Sequence, residues 1–310
     1  MSRTVLITGA AGSLGRSLVS ALGDAVTVIA TDINPPPTPA RGLAQVLDVR
    51  DTGLVDLLRA HAVDVVVHLA AILSAPAGMS EDTVREIEVD GTRNVVEACA
   101  AAGVGRLVYT SSGAAYGYSP DNGPLLDEDA PLRGDRPFPY ALHKRLIEEL
   151  LADAREQHPE LGQLVFRVST VLGPGVHSPI TQLFERPVVV GLRSADTPFC
   201  FAWEEDVVDC LVRGVLGDAV GTFNLTGDGV MTLREVAKGM DRRFVGLPAG
   251  VLRRALRLLH DRGLTDNTPE QVAFLEHRPV LANERLKHGF GFVPRHTTRE
   301  AFAAYRAHRA

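Results

Sequence analysis

Short apolar runs alternate with segments of helical periodicity along the first half of the chain. The runs are rich in β-branched residues and predict buried strands at 5–8, 26–31, 45–47, 64–69, 106–110 and 163–168. Between them, apolar residues at every third or fourth position predict helices near Leu14, at 51–60 and at 82–102. This alternation indicates a parallel sheet with helices on both faces.

The second half of the chain has a weaker pattern. The segment 176–197 has no clear period and predicts an irregular loop, whereas 223–225 predicts a short strand. A helix is expected to begin at Thr232, whose hydroxyl and Glu235 fit a capping box, and a last helix at Thr298.

A glycine-rich turn separates the first strand from the first helix. Gly9, Gly12 and Gly15 recur at every third residue, a spacing that lets the backbone approach a phosphate at a helix N-terminus. Asp32 ends the second strand, 17 residues after Gly15, where a carboxylate can accept the ribose hydroxyls of NAD and repel a 2′-phosphate. The alternative is a plain glycine turn with an N-capping aspartate.

The order of elements and the glycine turn predict an α/β fold, a doubly wound parallel Rossmann sheet with a small C-terminal substrate-binding lobe. We expect residues 1–172 to form the nucleotide-binding domain, with 202–226 returning to it. Residues 173–201 and 227–310 are then expected to form the lobe.

Composition narrows the function classes. Hydrophobic residues make up 45% of the chain and charged residues 23%, as in ordinary soluble enzymes, and the net charge of −6 argues against a nucleic-acid partner. The three cysteines are far apart and form no C-x-x-C pair, which indicates a reducing compartment and no metal site. The first strand starts at the fourth residue, and no apolar run reaches membrane-spanning length, so we expect a cytoplasmic protein without a membrane partner.

A second group of residues can carry chemistry. Tyr140 and Lys144 stand four apart at the start of a predicted helix, so that both side chains share one face. A free phenol has a pKa of about 10, and a neighbouring ammonium moves that pKa toward working pH. Ser112 ends the fifth strand and can hydrogen-bond a substrate oxygen. The alternatives are a surface lysine beside a half-buried tyrosine and a serine that caps a strand end.

Together these motifs resemble the extended short-chain dehydrogenase/reductase family, in its NAD-dependent epimerase/dehydratase branch. The resemblance covers nearly the whole chain in the right order. It rests on the glycine segment 8–15, Asp-Val at 48–49, His-Leu-Ala-Ala at 68–71, Gly-Thr-Arg-Asn-Val at 91–95, Ser-Ser-Gly-Ala-Ala-Tyr-Gly at 111–117 and Tyr-Ala-Leu-His-Lys at 140–144.

The resemblance implies an NAD cofactor and a set of residues that hold it. These residues are Gly9, Ala11, Gly12, Ser13, Leu14, Gly15, Asp32, Asp48, Val49, Leu69, Ala70, Ala71, Tyr140 and Lys144. It also implies catalytic roles: Tyr140 as the acid/base, Lys144 as its partner and Ser112 as the hydroxyl that orients the substrate. A homodimer through the helices bearing 95–99 and 140–151 is typical of the family.

The expected substrate contacts are less defined. The segment 68–75 resembles members that oxidise small hydroxy acids, such as threonine and erythronate dehydrogenases, in which the serine matching Ser74 touches the substrate. A simple loop hydroxyl is the alternative. His177 and Arg193 lie in the irregular segment expected to cover the substrate, and we take them as candidate contacts.

Two positions depart from the family pattern. Glu88 stands where members commonly carry an asparagine. The asparagine amide has a role in a helix kink or a proton relay in the family, and that role is not expected from Glu88. Phe199 stands where sugar-nucleotide members have an arginine that grips a diphosphate. A nucleotide-diphosphate sugar is therefore less expected here than in the family at large. His143 is expected to point away from the site.

The sequence thus predicts an NAD-dependent oxidoreductase that transfers hydride at a secondary alcohol of a sugar, sugar acid or small hydroxy acid. A nucleotide-sugar epimerase, which oxidises its substrate transiently without net redox change, is the first alternative. Dehydration is disfavoured because Gly113 and Ala114, rather than an acidic pair, follow Ser112. A non-catalytic NAD(P)-sensing module is the remaining alternative.

Overall fold

The computed structural model describes residues 2–76, 78–193, 196–265 and 267–309. The chain divides into two compact units, and each is built from three segments of sequence. The first unit comprises Met1–Ser111, His143–Arg167 and Glu204–Phe223, and the second Ser112–Leu142, Val168–Trp203 and Asn224–Ala310.

Strands and helices alternate through the chain. The strands are β1 Thr4–Thr8, β2 Thr27–Asp32, β3 Gly42–Val46, β4 Val65–His68, β5 Arg106–Ser112, β6 Gly162–Val168, β7 Thr170–Leu172, β8 Val188–Leu192, β9 Pro198–Phe199, β10 Phe201–Trp203, β11 Gly221–Leu225, β12 Met231–Thr232 and β13 Arg243–Leu247. The α-helices are α1 Ser13–Leu22, α2 Leu54–Ala60, α3 Glu81–Arg85, α4 Gly91–Ala102, α5 Pro139–Gln157, α6 Pro179–Glu185, α7 Glu204–Leu216, α8 Leu233–Gly239, α9 Ala249–His260, α10 Ala273–Glu276 and α11 Thr298–Arg309.

A parallel sheet forms the core, with seven strands in the described part of the chain, in the order β3-β2-β1-β4-β5-β6-β11. The chain leaves β1 toward β2 and β3 and then returns to β4 on the other side, so the strand order reverses at β1. This arrangement confirms the predicted doubly wound Rossmann sheet. Ligands of such sheets bind beyond the carboxyl ends of the strands at the reversal point, which here are Thr8 and His68, paired in register.

The central strands are buried, as their sequences predict. Val5, Leu6 and Ile7 of β1 are all 0% exposed, and β4 is buried along its whole length. Strands covered by helices on both faces read as continuous apolar runs rather than as alternating ones. Two boundaries of the predicted elements differ by three residues: β3 starts at Gly42 rather than Gln45, and α2 begins at Leu54 rather than Asp51.

The long helix predicted over 82–102 is interrupted. A π-helical turn at Glu86–Asp90 separates α3 from α4, and the Thr92 hydroxyl donates to the Glu88 carbonyl oxygen there, at 2.5 Å. The members of the predicted apolar stripe are nonetheless buried: Val89 in the π turn, and Val95, Val96 and Cys99 in α4. Such turns are often found near functional sites.

In the second unit, short strands pair two by two among the described residues: β7 with β10, β9 with β12 and β8 with β13. Its core is aromatic and is formed mainly by Phe184, Phe199, Phe201, Trp203, Phe302 and Tyr305. Residues 112–142, which the sequence analysis assigned to the nucleotide-binding domain, belong to this unit. Tyr116 and Leu126 pack there against Cys200 and Leu281, and the Tyr116 hydroxyl donates to Asn224 Oδ1 at 2.8 Å.

The prediction of an irregular loop over 176–197 is wrong. This segment contains the helix α6, capped reciprocally by Ser178 and Thr181, and the strand β8, paired in parallel with β13. Both elements are too short to give a clear period. Residues 194 and 195 lie outside the described part of the chain, and the predicted helix starts at Thr232 and Thr298 are confirmed within one residue.

Two other features, a membrane-spanning helix and a metal site, can be considered for the described residues. No helix there combines the length and apolar character needed to cross a bilayer. Nor do those residues hold a group of three or more His, Cys, Asp or Glu side chains placed to bind a metal ion.

Candidate active site

The glycine turn is tightly constrained by the chain around it. Gly9 has a φ of +70°, and a Cβ on it would lie 2.5 Å from the Ala70 nitrogen. A Cβ on Gly15 would lie 2.3 Å from the Gly9 carbonyl oxygen. Both positions therefore require glycine, because β1, α1 and the segment after β4 meet here through their backbones.

Gly12 differs, since it borders open space. A Cβ on it would meet only the Gly9 carbonyl oxygen, at 3.3 Å, among the described residues. Gly12 is also the N-cap of α1 and supplies no side-chain cap to the first turn of that helix. The exposed N–H groups and the positive end of the helix dipole thus face a cradle that fits the pyrophosphate of a dinucleotide.

Asp32 lies at the end of β2, beside this cradle. Its Oδ2 accepts the Ala11 N–H at 3.0 Å, and its Oδ1 accepts the Asn34 N–H at 2.9 Å. A carboxylate has about four lone-pair positions, so the half-buried group keeps capacity for ribose hydroxyls. Its negative charge disfavours a 2′-phosphate at the same place.

The other residues expected at the cofactor line the same edge of the first unit. Asp48 pairs with Arg50 at 2.7 Å, and this hydrogen bond is the main cause that holds the Asp48 pKa below its usual value. Val49 is buried, and Asn94 Nδ2 donates to its carbonyl oxygen at 2.7 Å. The Leu69 N–H donates to the Thr8 carbonyl oxygen at 3.2 Å. Leu14 and Ala70 are half-buried and Ala71 is exposed.

The hydroxyl of Ser13 is already engaged. It donates to Glu204 Oε1 at 2.7 Å, as Ser17 does at 2.9 Å, so that both fix α1 to α7. The Ser13 hydroxyl proton is therefore not available to a phosphate.

Lys144 is buried on α5 and anchored to β5. Its Nζ donates to the Tyr109 hydroxyl at 2.8 Å and to the Thr110 carbonyl oxygen at 3.3 Å. Burial lowers its pKa, whereas the carboxylates of Glu88 and Glu148 act in the opposite sense. An ammonium is thus fixed at the end of β5, two residues before Ser112.

Tyr140 lies one helical turn before Lys144, at the second position of α5, and is half-buried. Residues four apart on a helix share a face, as the sequence analysis expected. Ser112 is the last residue of β5, and its Oγ accepts the Ala114 N–H at 3.1 Å, which leaves its hydroxyl proton free to donate within the described structure. Ser112 therefore also caps the end of β5, which was the alternative role expected from the sequence.

Ser111, the residue before Ser112, has a structural role. Ser111 Oγ donates to Glu148 Oε1 at 2.5 Å, and Glu148 also accepts from Arg167 Nε and Nη2, at 2.9 and 2.7 Å through Oε2. All three side chains are buried. This cluster fixes β5, β6 and α5 to one another beneath the anchored lysine.

A second buried pair involves Glu88, the first departure from the family pattern. Glu88 Oε2 lies 2.8 Å from His143 Nδ1, and Glu88 Oε1 accepts the Ile72 N–H at 3.0 Å. His143 is therefore buried against the π turn. The helix is distorted at this position although Glu88 carries a carboxylate where the family commonly has an asparagine amide. No sequence pattern indicated this pair, because 55 residues separate its members.

His68 completes the polar interior below the glycine turn. Its Nδ1 lies 2.6 Å from Thr8 Oγ1 and its Nε2 2.9 Å from Thr92 Oγ1. Burial, and secondarily the charge of Lys144, lowers its pKa to about 3. His68 is thus a neutral spacer between β1, β4 and α4 at physiological pH.

Comparison with known families agrees with this geometry. The model of the NAD dependent epimerase/dehydratase family matches residues 5–212. The chain belongs to this family. It is an enzyme, and its cofactor is NAD.

The relatives that resemble this member of the epimerase/dehydratase family carry different names and activities. An uncharacterized protein of Mycobacterium tuberculosis is 28% identical over 98% of this chain and 83% of its own. A 3-diazoavenalumate denitrifying reductase of a Streptomyces species is 32% identical over 72% of this chain and 76% of its own. The UDP-glucose 4-epimerase of Azospirillum brasilense is 27% identical, over 95% and 88%.

Solved structures share the fold. MoeE5 in complex with UDP-glucose and NAD superimposes with a TM-score of 0.76 at 24% identity, covering 99% of this chain and 98% of that one. At this identity the likeness concerns the fold alone.

The three residues expected from the sequence to contact the substrate are all exposed. Ser74 is exposed in the segment after β4. His177 is exposed, and its Nδ1 lies 3.2 Å from Arg309 Nη2 on α11. Arg193 is exposed just after β8, and its N–H donates to the Leu247 carbonyl oxygen at 2.9 Å.

Phe199, the second departure, is 0% exposed and confirms the expected apolar surroundings. Its ring lies 5.3 Å from that of Phe184 and 6.0 Å from that of Phe201, centroid to centroid. Arg278, which no sequence motif indicated, has its guanidinium carbon 4.1 Å from the Phe199 ring centroid. Only the fold brings these two residues together.

Proposed function

We propose that this enzyme oxidises a secondary alcohol of a sugar, sugar acid or small hydroxy acid, with Ser112, Tyr140 and Lys144 as its catalytic residues. Bound NAD supplies the hydride acceptor. The carbinol C–H bond breaks with its electron pair leaving as hydride, while the O–H proton passes to Tyr140 and a carbonyl forms. The reverse direction uses the same groups.

The observation that carries this proposal is the buried ammonium of Lys144, one turn after Tyr140. A cation in that position favours the phenolate over the phenol and brings Tyr140 into the pH range of a working base. Ser112 supports the proposal because its hydroxyl proton is free to bind the substrate oxygen. Ser111 cannot take this role, since it is bound to Glu148.

A nucleotide-sugar epimerase remains the second candidate. It is favoured by the similarity to the Azospirillum UDP-glucose 4-epimerase. The same residues would then perform the first half of the reaction, and the hydride would return to the opposite face of the carbonyl carbon. Phe199 weighs against this candidate, because it stands where the family resemblance implies a diphosphate-binding arginine in sugar-nucleotide members.

A panel of substrates separates the two candidates. Purified enzyme with NAD is incubated with sugars, uronates, aldonates and small hydroxy acids, and NADH absorbance is followed. We expect NADH to accumulate with one of these classes and Ser112→Ala to abolish most of the signal. Epimer formed from a nucleotide sugar without NADH would support the second candidate. Silence with every compound, while NAD is shown to bind, contradicts the proposal.

The homodimer and the cytoplasmic location belong to the proposal as well. Pairing through the helices α4 and α5 is inferred from the family resemblance. Sedimentation of the purified protein tests it, and a monomer at micromolar concentration would contradict it.

A further inference from the structure

A buried carboxylate is bound to the helix that begins at the cofactor cradle. Glu204 is the first residue of α7 and is only 7% exposed. Its Oε1 accepts the hydroxyls of Ser13 and Ser17 on α1, at 2.7 and 2.9 Å. Ser13 follows the N-cap Gly12, so Glu204 contacts the first turn of the helix whose N–H groups face the cradle. A negative charge is thus held one side chain away from the expected phosphates.

This carboxylate has no cation to balance it. Among the residues that the structure describes, no Lys, Arg or His forms an ion pair with Glu204. Two other buried glutamates of the same unit are paired, Glu148 with Arg167 and Glu88 with His143. The two serine hydroxyls and the positive end of the α7 dipole stabilise the Glu204 charge, but neither is an opposite charge. Because the group is buried, water and salt screen its field only weakly.

Two consequences for the cofactor follow. The Ser13 hydroxyl is bound to Glu204 and is withheld from a phosphate at the helix N-terminus. The carboxylate also lies within about 9 Å of any phosphate that binds the Ser13 N–H, by covalent geometry and hydrogen-bond lengths. Arg16 is a cation on the same helix, and its Nε donates to the Ala11 carbonyl oxygen at 2.8 Å. Arg16 is exposed, however, so that its field is screened more than that of Glu204.

We infer that Glu204 weakens the binding of the cofactor phosphates, so that NAD and NADH exchange with solution instead of staying bound. This use of the weaker binding rests on the proposed function, because an enzyme that oxidises its substrate must release NADH after each turnover. An epimerase regenerates NAD in place and has no such need. Glu204 is a positioning residue: it acts through the Ser13 hydroxyl and through its charge.

Cofactor binding to the full chain, freed of NAD, tests the inference without any substrate. NAD is titrated calorimetrically, together with adenosine, which lacks the phosphates, and the rate of NADH release is measured by stopped-flow fluorescence. Glu204→Gln removes the charge but keeps an oxygen that accepts the serine hydroxyls. Ser13→Ala removes the hydroxyl next to the cradle. Ser17→Ala is the matched control, because it removes the same kind of hydrogen bond one helical turn further along α1.

We expect Glu204→Gln to bind NAD about fivefold to twentyfold more tightly than wild type, the effect of one charge at about 9 Å with an effective dielectric constant of about 20 to 40. NADH release should slow by a similar factor, and adenosine binding should not change. Ser13→Ala and Ser17→Ala should both bind NAD within about twofold of wild type, since neither alters the charge. A merely structural role of Glu204 predicts weaker binding in Glu204→Gln, not tighter binding.

Unchanged or weaker NAD binding in Glu204→Gln would overturn the inference. Equally tightened binding of adenosine would overturn it too, because the effect would then not concern the phosphates. A tenfold loss of NAD affinity in Ser13→Ala alone would show that this hydroxyl serves the phosphate after all, against the inference. Tighter NAD binding in Glu204→Gln, with no NADH formed by wild type from any compound of the panel, would contradict only the proposed function.

Discussion

Gly15 and Gly12 of the cofactor turn should respond differently to alanine. In Gly15→Ala the new Cβ would lie 2.3 Å from the Gly9 carbonyl oxygen and 2.6 Å from Ala10 Cα. Ordinary contacts begin near 3.4 Å, so α1 has to move by about 1 Å from backbone atoms that cannot yield, at a cost of about 1–3 kcal/mol of stability. Both the melting temperature and the affinity for NAD should fall.

Gly12→Ala separates the effect on stability from the effect on NAD affinity. Its Cβ would meet only one atom, at 3.3 Å, and would otherwise occupy the space in which the phosphates are expected. The melting temperature should stay within the range of an ordinary surface change, about 0.5 kcal/mol. The affinity for NAD should fall by about tenfold or more, or 1.4 kcal/mol.

Gly250→Ala is the matched control, because it lies in α9 with nothing within 4 Å of its Cβ. Alanine is the better helix former by about 1 kcal/mol, so this variant should be at least as stable as wild type and bind NAD unchanged. Melting curves and calorimetric titration with NAD are measured for all three variants. Unaltered NAD affinity in Gly12→Ala would refute the assignment of the turn to the cofactor phosphates.

Two further perturbations test the interior of the first unit. Arg167→Met leaves the Glu148 carboxylate buried without its cation, so the free energy of unfolding should fall by about 3–5 kcal/mol, and an unchanged melting temperature would contradict this. Glu88→Gln removes a charge that raises the Lys144 pKa, so that pKa falls further. Because the reaction needs Lys144 protonated, the alkaline limb of the pH–rate profile should move to lower pH; an unmoved limb would show that Glu88 does not act through Lys144.

The elements of the first unit could be predicted because each carries a local signal. The β-branched runs of β1 and β4 are buried on both faces, and the glycine spacing marks the turn between β1 and α1. The π turn could not be predicted, since Val89 within it and Val95 after it are both buried and the apolar pattern of the sequence shows no break between them.

Other features depend on contacts between distant segments. The pairing of β8 with β13 joins residues about 55 positions apart, and neither strand is long enough to show a period. Glu88 with His143, and Arg278 with Phe199, are brought together only by the fold. From the sequence alone, charged residues such as these are expected at the surface. Their burial depends on partners far away in the sequence, which no local pattern reveals.

The catalytic role of Tyr140 is the centre of the account, and one comparison of turnover tests it most directly. Tyr140→Phe removes the phenolic proton acceptor and leaves the helix intact. Tyr305→Phe is the matched control, since it removes a hydroxyl that donates to Glu185 at 2.8 Å on α6. The rate of NADH formation is measured with the best substrate of the panel, together with NAD affinity.

We expect Tyr140→Phe to lose turnover by about 10²–10⁴-fold, the usual contribution of a general acid or base, and to bind NAD nearly as wild type does. Tyr305→Phe should keep the wild-type rate. Turnover retained in Tyr140→Phe would contradict the proposed mechanism.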